Sequence, residues 1–286
     1  MTFKIAALLT CHNRSTKTLA CLQSLFDAPL PFGHSLSVFL VDDGSTDGTA
    51  ESVKRKYPKV NIIKGSGNLF WAGGMRIAWL EALKKNHDGY LLLNDDTILF
   101  PNVLTDLLNT HNYSLENYNQ GGIYIGTTND PYTNEYTYGG RNIVNGITGK
   151  SNVVKPQSKV IQRCDFANCN ILFVSKNVID TIGILSNKFT HFLADYDYTL
   201  TASKQGIPVL VCSNYCGTCI DDHGNNWLSG NHPLTERIKY LKSPKHLAYH
   251  EYLLFIKRHF PFYWPISFIK LWARTLFPSI WDKFKK

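Results

Sequence analysis

The chain has 286 residues, 44% of them apolar and 18% charged, values that exclude disorder over most of its length. Its formal charge of +8 is not spread evenly: residues 236–286 hold 11 basic and 3 acidic side chains, so residues 1–235 are neutral. A nucleic-acid-binding body is thereby excluded, and the basic excess belongs to a tail.

In chain order, residues 5–9 form an apolar run that is too short and wrongly flanked for a leader peptide, and it predicts a first buried strand. A helix follows over 15–26, with Leu19, Leu22, Leu25 and Phe26 at helical spacing. Residues 37–41 are a second strand, 47–57 a helix stopped by Pro58, and 60–63 a third strand. A helix over 73–85 and a strand over 90–93 come next. Strands and helices alternating at this interval predict an α/β fold with a mostly parallel, Rossmann-like central sheet and helices on both faces. From about 121 to 154 the texture changes to Gly, Asn, Tyr and Thr, which reads as hairpins and loops. A helix from Asp195 to about Gln205 and a last core strand over 209–211 close a domain spanning 1–230. Residues 231–286 form a basic, aromatic-rich helical extension.

Three of the predicted strands end in polar clusters: residues 10–14, 42–45 and 94–96. Ligands of parallel α/β sheets bind beyond the carboxyl ends of the strands, so this coincidence predicts a site there. Asn94-Asp95-Asp96 suits a hard divalent cation holding a diphosphate, although Asp and Asn are also good turn residues. Asp42 and Asp43 can accept hydrogen bonds from a base or a ribose, or cap a helix. Residues 65–68 are Gly-rich without the spacing of a dinucleotide or P-loop motif. Cys212, Cys216 and Cys219 invite zinc, but four ligands are wanted and no further Cys/His pair lies at finger spacing, so the seven cysteines read as reduced thiols.

Taken in order, residues 10–14, 41–47, 67–74, 92–97 and 195–197 resemble an inverting glycosyltransferase of family 2, of the GT-A fold type. The likeness runs over about residues 3–225, and the Gly67-Asn68 to Trp71 piece is similar to rhamnosyl- and galactofuranosyl-type members. The resemblance implies that Thr10, Asn13, Arg14 and Asp42 hold a nucleoside, with Asp43 and Gly67 beside them. It implies that Asn68 and Trp71 line the donor pocket, that Asn94 and Asp95 lie near the donor sugar or ribose, and that Asp96 binds a metal–diphosphate. Asp195 stands where the family's catalytic base sits, while Ala194 and Thr201 replace the Glu and Arg that usually flank this motif. His223 would complete the metal site, and Asp197 and Trp227 would meet the acceptor.

The implied cofactor is Mg²⁺ or Mn²⁺, and the implied donor a nucleoside-diphosphate sugar. The acceptor would be a saccharide, lipid-linked in surface polysaccharide assembly. A sugar-1-phosphate nucleotidyltransferase would want a glycine in the loop after the first strand, and 10–14 has none; a non-catalytic nucleotide-sugar-binding module is the other alternative. Between 247 and 286, 12 of 40 residues are aromatic, interleaved with Lys257, Arg258, Lys270, Arg274 and Lys283 and cut by Pro261, Pro265 and Pro278. Such short basic-aromatic helices suit an anionic membrane surface, or a cap packed on the domain. The expectation is a cytoplasmic protein, peripheral at the inner face of the membrane, with no nucleic-acid partner and an oligomeric state the sequence leaves open.

Overall fold

A computed structural model of the chain describes residues 3–191, 193–221 and 227–283. Its first part alternates as the sequence predicts: β1 (Lys4–Cys11), α1 (Ser15–Asp27), β2 (Ser35–Asp42), α2 (Thr49–Lys56), β3 (Asn61–Lys64), α3 (Phe70–Leu83) and β4 (Gly89–Leu93). There follow β5 (Ile98–Leu99), α4 (Val103–Tyr118), β6 (Ile123–Asn129), β7 (Gly140–Asn145), β8 (Lys150–Val153), β9 (Gln162–Arg163), β10 (Phe166–Ala167) and β11 (Ile171–Ser175). The chain continues through α5 (Lys176–Ile182), α6 (Ala194–Lys204), β12 (Val209–Thr218), α7 (Leu234–Lys242), α8 (Tyr249–His259), α9 (Trp264–Leu276) and α10 (Pro278–Asp282).

The main sheet has the order β3-β2-β1-β4-β11-β6-β12-β5, with β9 also paired to β12. β1 pairs in parallel with β2 and β4, β2 with β3, and β6 with β12, while β11 runs antiparallel between β4 and β6. Six strands therefore point the same way, and their carboxyl ends form one edge. Alternation along each strand feeds two cores. Ala7 and Leu9 of β1, Leu40 of β2 and Leu91 of β4 pack on the face carrying α1 and α4. Leu8, Phe39, Val41 and Leu92 pack on the opposite face against Met75 and Trp79 of α3. This is a three-layer α/β/α sandwich of the GT-A kind.

The stretch after 121 departs from the expected hairpins. β6 is buried along all seven residues between β11 and β12, so its Thr and Asn show no solvent-facing alternation from which a strand could be read. The hairpin is β7–β8, which with β10 forms a separate three-stranded sheet. In the C-terminal extension, Phe255, Ile256 and Phe260 share a core with Phe189, Leu193 and Leu200. Leu271 of α9 joins Leu241, Tyr249 and Leu253 in a smaller cluster. Among the described residues, no helix is long and apolar enough to cross a membrane.

Candidate active site

The loops after β1 and β2 are laced together. Asn13 adopts a left-handed conformation (φ 51°), which lets its Oδ1 accept from Thr46 N at 2.7 Å while its own N–H donates to Ser45 Oγ at 2.9 Å. Asp42, buried at the end of β2, accepts from Ser45 N at 2.9 Å. Thr10 is buried at the end of β1, and the absent side chain of Gly74 lets α3 lie directly against its hydroxyl.

Asp43 organises the next loop. Its buried carboxylate accepts from Gly67 N on one oxygen (2.7 Å) and from Leu69 N and Phe70 N on the other (2.8 and 3.1 Å). The Gly-rich segment is thus wrapped around a carboxylate of the second strand-end cluster, and Asn68 is left exposed at its tip. Phe70 opens α3 with φ 55°, a strained setting for a bulky residue. Trp71 follows, donating from Nε1 to Asn94 Oδ1 at 2.8 Å, which joins this loop to the third cluster.

At the end of β4, Asp95 is buried and accepts from Thr18 Oγ1 (3.0 Å) and Arg14 Nη1 (3.3 Å). Burial pushes its carboxyl up to about 6, outweighing the opposing pull of the Arg14 guanidinium. The same Arg14 nitrogen donates to Asp96 Oδ2 at 2.9 Å, with Lys17 Nζ 3.9 Å from that oxygen. Asp96 keeps 17% of its side chain exposed, so its carboxylate is reachable from the strand-end edge.

Asp195 lies in the first turn of α6, half-buried. Its Oδ2 accepts from Cys169 N at 3.2 Å and its Oδ1 from Tyr196 N at 2.8 Å. The next residue, Asn170, gives its carbonyl to Asn94 N at 3.1 Å, so two adjacent residues join the Asp195 contact to the Asn94–Asp96 cluster. Residues 168–170 are a part of the site that sequence reasoning missed; the signal was there in a polar Asn-Cys-Asn set against the apolar start of β11. His191, whose Nδ1 accepts from Trp71 N at 3.4 Å, was missed as well.

Two expected acceptor residues face the C-terminal extension. Asp197 is buried, and its oxygens take Arg258 Nη1 at 2.7 and 2.8 Å and His259 Nε2 at 2.9 Å. Trp227 donates from Nε1 to Asp282 Oδ1 at 3.3 Å and carries the Arg274 guanidinium 5.3 Å from its ring. His223 lies outside the described residues. Among the described residues, no three His, Cys, Asp or Glu side chains gather into a cation site on their own. The hard, partly exposed carboxylate of Asp96 nevertheless fits a divalent cation that draws its remaining ligands from phosphate and water.

The sequence profile described as Glycosyl transferase family 2 matches residues 7–167. Among solved structures, the mannosyltransferase PcManGT from Pyrobaculum calidifontis, in complex with GDP-Man and Mn²⁺, aligns at 14% identity over 97% of this chain and 71% of its own, with a TM-score of 0.58. TarS 1–349 of S. aureus aligns at 14% identity over 76% of this chain and 60% of its own, with a TM-score of 0.53. Its complex with UDP aligns at 14% identity over 91% and 72%, with a TM-score of 0.54. The chain thus spans less than two thirds of the first TarS structure, and at this identity the likeness concerns the fold. No curated protein matches the chain.

Proposed function

The chain belongs to glycosyl transferase family 2, and from that premise we propose that it moves a sugar from a nucleoside-diphosphate donor to a hydroxyl of a saccharide acceptor, with inversion at the anomeric carbon. The observation that carries this reading is the meeting of three polar strand ends and the Asp195 carboxylate along one edge of the sheet, joined through Arg14, Trp71 and residues 169–170. In it, Thr10, Asn13, Arg14 and Asp42 hold the nucleoside. Asp43 fixes the Gly67 loop so that Asn68 and Trp71 line the sugar pocket beside Asn94 and Asp95.

Asp195 takes the proton of the attacking acceptor hydroxyl. The new bond from that oxygen to the anomeric carbon forms as the bond from the carbon to the diphosphate breaks, and the electron pair leaves with the phosphate. Attack from the face opposite the leaving group inverts the carbon. Asp96, with His223, would hold Mg²⁺ or Mn²⁺, which supplies positive charge against the departing diphosphate. Arg14, already against Asp95 and Asp96, adds a fixed cation at the same edge.

We place the reaction at the inner membrane face, on a lipid-linked acceptor in surface polysaccharide assembly. Supporting this, Phe262, Ile266, Ile269, Phe277 and Ile280 are all exposed in the extension, with Lys270 exposed among them. Sedimentation with anionic vesicles should pull down the full chain. An I269E/F277E variant, keeping the wild-type melting temperature, should stay in the supernatant; undiminished sedimentation would remove the membrane from the account.

The test of the reaction is a panel of UDP-, GDP- and dTDP-sugars titrated calorimetrically with and without Mg²⁺ or Mn²⁺, followed by NMR of the transferred sugar. One donor should bind with metal-dependent affinity and yield a product of inverted anomeric configuration. Retained configuration, or no binding of any donor, would contradict the proposal.

A further inference from the structure

The helix that carries Asp195 is held from outside the sheet. Asp197, two residues on in the same first turn, is 3% exposed, and Arg258 and His259 of α8 take up its carboxylate. A carboxylate so deeply buried is costly unless paired and hydrogen-bonded, so the position of α8 and the position of this turn are coupled.

Other contacts tie the same two segments together. Glu251 of α8 accepts from Thr190 N at 3.1 Å, before the turn, and Lys204 Nζ donates to the His259 carbonyl at 3.0 Å, at the helix's far end. The Arg258 guanidinium lies 5.8 Å from the centre of the Phe189 ring. Between these points Leu193 enters α6 with φ 67°, a strained conformation that persists only when its surroundings over-determine it. Phe255 and Ile256 of α8 share the core cluster of Leu193 and Ala194.

We propose that Arg258 is a positioning residue for the transfer reaction: through Asp197 it fixes the first turn of α6 and so aims Asp195. The C-terminal helix α8 is on this account part of the catalytic unit. This rests on the assignment of Asp195 as base, but the clamp itself can be read without turnover.

The test compares the full chain with Arg258→Ala, Arg258→Lys and the double variant T201R/R258A. Thr201 is one helical turn beyond Asp197 on α6, so an arginine there can reach the same carboxylate. In Arg258→Ala, amide exchange over 194–199 should quicken while that of α1 stays unchanged. Donor affinity should hold, and kcat should fall by about 100-fold, as misplacement of a reacting group by about 1 Å does. Arg258→Lys should fall between, and the double variant should recover both protection and kcat.

Unchanged exchange at 194–199 in Arg258→Ala would overturn the clamp whatever the activity. Quickened exchange with wild-type kcat would overturn the positioning role. Equal loss of donor affinity, kcat and protection throughout the chain would mark Arg258 as generally structural and overturn it too. If the wild-type protein transfers no sugar, the failure lies with the proposed reaction, and the exchange measurement still decides the clamp.

Discussion

At the scale of single residues, the site is built on carboxylates with separate tasks. Asp43 spends both oxygens on backbone N–H groups of the Gly67–Phe70 loop, so it shapes the pocket rather than offering itself to a ligand. The close approach that this requires is possible because Gly44, at φ 73°, lies so near Gly67 that a side-chain carbon would stand 2.9 Å from its Cα. Replacing Asp43 with Ala leaves the N–H groups of Gly67, Leu69 and Phe70, the last two half-buried, without their acceptor, and should destabilise the fold by about 2 kcal/mol. A denaturant melt reads the stability, and calorimetry should show donor affinity reduced alongside it. A variant as stable as wild type with the same affinity would show that the loop holds its shape without this carboxylate. Asp95 differs again: buried and pushed up to about 6, it is tuned by its place rather than committed to shaping a loop.

At the scale of elements, α3 is placed by what Gly74 lacks. Any side chain there falls on the Thr10 hydroxyl and β-carbon, so Gly74→Ala must push the helix away from the end of β1. The expected cost is ~1–3 kcal/mol with weakened nucleotide binding, against the gain in helix propensity that alanine brings at a permissive site. A thermal melt with and without UDP checks it, and an unchanged or raised melting temperature would refute the contact. The elements around this point were largely legible in the sequence. β1, β2 and β4 are short apolar runs ending in polar clusters, and α1 and α2 end where spacing and Pro58 predict. The illegible ones share a cause. β6 and β11 are buried on both faces and carry no alternation, and α4 presents Asn, Thr and His along with its leucines. In the site, the strand-end residues were visible because buried apolar strands make their polar ends conspicuous. Arg258 and His259 were not, since their contacts with α6 depend on how distant segments pack, and residues 168–170 offered only a polar Asn-Cys-Asn before β11, without the partner that packing gives them.

At the scale of the whole molecule, the basic tail divides by its packing. Its second helix, α8, closes over α6, while α9 and α10 leave apolar side chains outward, with Lys270 of α9 exposed among them. Buried histidines also set a pH response. Burial lowers His87, His111 and His259 from the usual range, so each takes up a proton less readily in the fold than in the unfolded chain. The unfolded chain takes up their protons near pH 6.5, which makes stability rise with pH there and fall as pH drops below about 6.5. Asp95 acts oppositely: its raised carboxyl binds a proton in the fold before it does in the unfolded chain, adding stability as pH falls from about 6 toward 4. Three groups outweigh one, so the melting temperature should be lower at pH 6 than at pH 7.5; an equal or higher value would contradict the burial of the histidines. The central claim is that this sheet edge binds a nucleotide sugar and that Asp195 alone among its carboxylates takes the acceptor proton. It is tested most directly by measuring sugar transfer and calorimetric donor binding on the same preparation of Asp195→Asn. The account expects donor affinity near wild type with transfer reduced by about 10²–10⁴-fold; transfer at the wild-type rate would contradict it.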